Sequence, residues 1–196
     1  ATVRKAVERR PWQWRESCHV PGRKDAGEVD FIIADQESRT VMVLELKWTI
    51  PPGETREVHR RERLAEDAVQ QAQRKLDAVR QKHAAVLALL DLPLAATDTW
   101  EICACVVIQG YAPTSSKARP VPVTTVRQFL DAVEAAPDLA ACARWLSSDG
   151  WLPRQGVHFT VLRRSVHFAG LTVKWKAVLT RPEGVEWRER RPPAGM

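Results

Sequence analysis

The stretch Gly27-Glu28-Val29-Asp30-Phe31-Ile32-Ile33-Ala34-Asp35, followed after Gln36-Glu37-Ser38-Arg39 by Thr40-Val41-Met42-Val43-Leu44-Glu45-Leu46-Lys47-Trp48, decides how this chain is read. Val29 to Asp35 and Thr40 to Thr49 are rich in strand-forming residues, and a polar turn separates them, which predicts a β-hairpin. Both runs are apolar at consecutive positions. That is the pattern of a central sheet covered on both faces. Three ionisable residues, Asp30, Glu45 and Lys47, nonetheless lie inside the runs. Charge in such surroundings is costly unless it is paired or binds a metal.

Side-chain alternation puts Val41, Val43, Glu45 and Lys47 on one face, and Met42, Leu44, Leu46 and Trp48 on the other. With a tight turn Asp35 pairs with Thr40, and Asp30 then falls opposite Glu45. Two carboxylates and one ammonium therefore converge at the open end of the sheet. Opposed carboxylates repel unless a cation sits between them. Mg²⁺ takes hard oxygen ligands, often one or two carboxylates, and keeps several waters. Such an ion can bind a phosphate oxygen and lower the pKa of a bound water, while a nearby lysine offsets charge on the phosphorus. The set suits phosphodiester cleavage.

Outward from the hairpin, Thr2 to Arg10 reads as a helix stopped before Pro11, and Trp12 to Ala26 as loop or short strand. Ile50-Pro51-Pro52-Gly53 breaks the second strand. A long helix then runs from Thr55 to Leu90, with a break allowed. Its apolar positions Leu64/Ala65, Ala68/Val69, Ala72, Leu76 and Val79 recur at three and four. Trp100 to Gly110 is a further strand and Tyr111 to Pro122 a loop. Val123 to Ala136 and Asp138 to Ser148 read as helices divided at Pro137, and Val157 to Phe168 with Leu171 to Thr180 as a final hairpin. The polar, Pro-rich, basic tail from Arg181 reads as loosely ordered. The fold class is α/β, a central mixed β-sheet flanked by helices. A doubly wound dinucleotide fold is disfavoured, because no Gly-x-Gly-x-x-Gly occurs and the first two clear strands form a hairpin.

The residues around the charged set carry a resemblance. Asp30, then Glu45-Leu46-Lys47 at a strand end, resembles the PD-(D/E)XK nuclease superfamily, the restriction-endonuclease-like fold. Its core is a helix, a three-strand meander, a helix and a strand, and the resemblance covers roughly Thr2 to Ala112. It implies that Asp30 and Glu45 ligate Mg²⁺ (with Mn²⁺ able to substitute), that the carbonyl of Leu46 is a further ligand, and that Lys47 is catalytic. Many members add an acidic residue on the first helix; Glu8 is the candidate here, with Glu16 second. A subset places a Gln on the helix after the Lys, often followed four residues later by Tyr. Gln71 best matches, with Lys75 where the Tyr would be, and Gln73 stays open as the alternative. Val29 stands where the name-giving Pro would be.

Composition is compatible with that reading. The chain has 196 residues, 44% hydrophobic and 28% charged, with net charge +6. Length fits one domain over 1–196: a catalytic core to about 112, an elaboration to about 180 and a basic tail over 181–196. A positive balance permits a polyanionic partner, here DNA, and helps steer it. Arg60, Arg61 and Arg63 at the start of the long helix are candidate phosphate contacts, and Lys174 and Lys176 share a strand face. Trp48, beside the site, is the tryptophan placed to touch substrate. The five His have no metal spacing, and the four Cys (Cys18, Cys103, Cys105, Cys142) have no zinc pattern; reduced thiols in a cytoplasmic protein fit best. No apolar run approaches the roughly 20 residues of a membrane span. The chain starts at Ala1 without an initiator Met, which reads as a fragment or a processed chain.

The expectation is a Mg²⁺-dependent DNA endonuclease of restriction, phage defence, transposition or repair, acting alone, as a homodimer or within a larger multidomain protein. The rivals are a nucleic-acid-binding module on a nuclease-like fold, and a nuclease acting on RNA or branched DNA.

Overall fold

The hairpin forms the middle of a five-stranded sheet. In the computed structural model, which describes residues 2–49, 55–93, 99–109, 119–148, 159–168 and 170–180, strand β2 (Glu28–Asp35) runs antiparallel to β3 (Thr40–Trp48), with Phe31 opposite Leu44 and Asp35 opposite Thr40. Asp35 fixes the turn. Its carboxylate accepts from the Glu37 N–H at 3.1 Å, the Ser38 hydroxyl at 2.8 Å and the Leu139 N–H at 3.1 Å. Arg39 closes the turn at φ 49°.

Strand β1 (Gln13–His19) adds to the other edge of β2, antiparallel, where the sequence suggested loop or short strand. Its residues are mostly exposed, so the apolar signal that marks β2 and β3 is missing from an edge strand. What anchors it is Trp14, stacked on Phe31 with ring centroids 5.4 Å apart. Pairing lapses at Ser17, at φ 50°, and resumes at Cys18 opposite Val29.

On the far side of β3 lie β4 (Glu101–Gln109) and β5 (Val123–Thr125), each parallel to its neighbour, giving the order β1-β2-β3-β4-β5. Parallel pairing needs a crossover. It is supplied by α2 (Thr55–Gln81) and α3 (His83–Leu89), which divide the expected long helix at Lys82. Before the sheet comes α1 (Thr2–Val7), shorter than expected. After it come α4 (Val126–Ala135) and α5 (Leu139–Ser147). The sequence had assigned Val123–Thr125 to α4. These residues are β-branched and pair as a strand, and Thr125 then caps the helix, sharing a capping box with Gln128.

Helices cover both faces, which is why β2 and β3 are apolar throughout. Ala65, Ala68, Ala72, Leu76 and Val79 of α2 pack with Ile32, Val41, Val43, Val106 and Ile108. On the other face Val3 and Val7 of α1, Phe129 of α4, and Leu139 and Leu146 of α5 pack with Phe31, Ile33, Met42 and Leu44. Among the described residues no helix is long and apolar enough to cross a membrane.

By its contacts the chain divides into two units. The first holds the five-stranded sheet and α1 to α5, with α4 and α5 packed on the sheet. The second holds β6 (Phe159–Phe168) and β7 (Leu171–Thr180), an antiparallel hairpin in which Gly170 takes φ 79°.

Candidate active site

Asp30, Glu45 and Lys47 meet under α2. Register carries Asp30 and Glu45 to adjacent strands one step beyond the Phe31–Leu44 pair. Glu45 is 1% exposed. A carboxylate this deep needs partners, and it has two. One oxygen lies 2.6 Å from the Lys47 ammonium. The other is in short contact with the ammonium of Lys75, on α2.

Lys75 also reaches Asp30, at 3.3 Å. The second Asp30 oxygen accepts the Leu46 N–H at 2.7 Å. Lys47 in turn donates to the Gln71 side-chain oxygen at 2.8 Å. The result is a chain of contacts Asp30–Lys75–Glu45–Lys47–Gln71, two carboxylates interleaved with two ammonium groups. Its openness is uneven: Asp30 and Lys47 keep 28% and 26% of their side chains exposed, against 1% for Glu45.

The helix makes this possible through its period. Gln71 and Lys75 are four apart and lie on one face, flanked by the small buried residues Ala68 and Ala72, which let α2 approach the sheet. Lys75 is 6% exposed. From sequence Lys75 was noted only as standing where the Tyr would be, four residues after Gln71; the missing clue was which cation would neutralise Asp30 and Glu45. Gln71 rather than Gln73 contacts the site, for Gln73 donates to Asp77 at 2.9 Å along its own helix.

The remaining candidates lie elsewhere. Glu8 follows α1, which packs on the sheet face opposite α2. It is held by Arg4 at 2.8 Å, and the same guanidinium holds Glu16 at 3.3 Å. Neither joins Asp30 and Glu45: among the described residues no group of three or more His, Cys, Asp or Glu side chains could hold one metal ion. Leu46 contributes its N–H to Asp30. Arg60, Arg61 and Arg63 lie in the early turns of α2, with Arg60 about 16 Å along the axis from Gln71. Trp48, next to Lys47, is 78% exposed. All four thiols are free. Burial pushes the Cys103 and Cys142 thiols up to about 12 and Cys105 well above the ordinary range.

No protein-family model, curated protein or solved structure matches this chain.

Proposed function

We propose that this protein is a metal-dependent nuclease that hydrolyses DNA phosphodiester bonds. The observation that carries the reading is the pair Asp30 and Glu45, drawn onto one cationic point beside a lysine that Gln71 holds in place. Two carboxylates focused on one point are a donor set that suits Mg²⁺ or Mn²⁺, so the residues fit the ion. Asp30 and Glu45 would hold it, and Lys75 is the group that yields that position. When bound, the ion supplies Lewis acidity and a water of lowered pKa.

The chain's own residues do the rest. Glu45 and Gln71 together fix the Lys47 ammonium, so its charge is preorganised for the negative charge that develops on phosphorus. Burial of Glu45 lowers the local dielectric and strengthens that effect. The partly open Asp30 and Lys47 leave a path for the phosphate, and exposed Trp48 offers a face on which a base can stack. Support for the nuclease family is the element order α1, the meander β1-β2-β3, α2, then β4, which is the order the resemblance implies. Free thiols are consistent with a cytoplasmic protein.

A second reading has its own observation. Lys75 and Lys47 neutralise both carboxylates without a metal, as a nuclease-like binding module would need. DNA cleavage with Mg²⁺ separates the two. The nuclease reading expects cleavage by the wild type and its loss in Glu45→Ala and in Lys47→Ala; cleavage unchanged in both variants refutes it.

A further inference from the structure

We propose that the β6–β7 hairpin is a ribbon that grips duplex DNA through its phosphates. Between Phe159 and Thr180 the sequence has Arg163, Arg164, Lys174 and Lys176 and not one Asp or Glu. The register sorts these charges. Arg163 stands directly opposite Lys176, and Ser165 opposite Lys174, so Arg163, Lys174 and Lys176 share one face. The other face carries Arg164 together with Leu162, Val166, Leu171 and Val173, of which the last three are 53%, 69% and 58% exposed. Three of the four cations therefore share one face, with Arg164 on the other.

Like charges directly opposite each other destabilise a strand pair, and a two-stranded hairpin is marginal by itself. A hairpin that concentrates cations in this way is relieved by a polyanion. Arg163, Arg164, Ser165, Lys174 and Lys176 line one hollow on it. Lys174 and Lys176 are about 7 Å apart along the strand, so each can meet a separate phosphate. Shape favours duplex DNA, because the major groove of B-form DNA admits a two-stranded ribbon while that of an RNA duplex is too narrow for side chains to read.

The inference rests on DNA being the substrate, but it is tested without turnover. Affinity of the full chain for a labelled DNA duplex is measured by anisotropy in EDTA over a range of salt. The variant combines Arg163→Thr, Lys174→Thr and Lys176→Thr, all exposed positions where Thr preserves strand preference. We expect affinity to fall about tenfold or more and the log–log salt slope to drop by roughly two to three. A charge-keeping variant, Arg163→Lys with Lys174→Arg and Lys176→Arg, keeps the wild-type slope. Unchanged affinity and slope in the Thr variant overturn the proposal. So does an equal loss in the charge-keeping variant, or tighter wild-type binding to duplex RNA or to single strands than to duplex DNA. If binding behaves as expected while the wild type shows no Mg²⁺-dependent cleavage, the nuclease reading fails and the ribbon stands; the converse pattern removes the ribbon alone.

Discussion

Lys75 reaches from α2 to the buried carboxylate of Glu45 in β3 and touches Asp30 with the same ammonium. This contact couples the helix to the sheet at the candidate site. Removing one member of a buried pair leaves the other uncompensated, at a cost of about 3–5 kcal/mol. Lys75→Met should therefore lower stability by about 3 kcal/mol in urea unfolding, softened because Lys47 still faces Glu45. Combining it with Glu45→Gln should cost less than the two single changes together. A loss below about 1 kcal/mol in Lys75→Met would show that the pair contributes little.

Gln71 and Gln73 should differ in function. Gln71 positions Lys47, whereas Gln73 donates to Asp77 along α2. Gln71→Ala should slow cleavage by about tenfold or more at unchanged fold, since misplacing a catalytic group by about 1 Å can cost a hundredfold. Gln73→Ala should cleave at the wild-type rate. Equal rates in both variants would mean that Lys47 needs no positioning.

Asp35 holds the hairpin turn and the start of α5 at once. Asp35→Ala leaves the Leu139 N–H without this acceptor in a buried setting, so chemical denaturation should show a loss of about 2–3 kcal/mol. A cost under about 1 kcal/mol would mean that water replaces the carboxylate.

These residues show where the sequence was legible. The hairpin and its register followed from two apolar runs and a polar turn, because alternation and pairing in an antiparallel ladder leave little choice. Asp30, Glu45 and Lys47 were visible as charges in an apolar context. Lys75 was not, since on a helix rich in Arg, Lys and Gln nothing local separates a buried lysine from a solvated one. Burial there depends on α2 lying over the sheet end. Strand β1 stayed open between loop and short strand, and β5 was read as helix, for related reasons: one is an exposed edge, and the other is only three residues long and runs directly into a capped helix. Glu8 has the right residue type but falls just past the end of α1, and α1 covers the other face of the sheet.

The buried thiols predict an alkaline limit to stability. In an unfolded chain a thiol loses its proton near pH 8.5, whereas Cys142 in the fold is pushed up to about 12 by burial. Between those values the unfolded chain binds fewer protons than the folded one, so stability falls as pH rises. From pH 8 to 10 the contribution is on the order of 1–2 kcal/mol per thiol. Cys142→Ala should flatten the pH dependence of the urea midpoint over that interval. An identical slope in the variant would contradict the assignment.

The most direct measurement is anomalous diffraction at the manganese edge from a crystal soaked in Mn²⁺. A peak bonded to Asp30 and Glu45 is expected, with the Lys75 ammonium moved from its present contacts and Lys47 still held by Gln71. No peak at full soak, with Lys75 still bridging the two carboxylates, would contradict the proposed metal site.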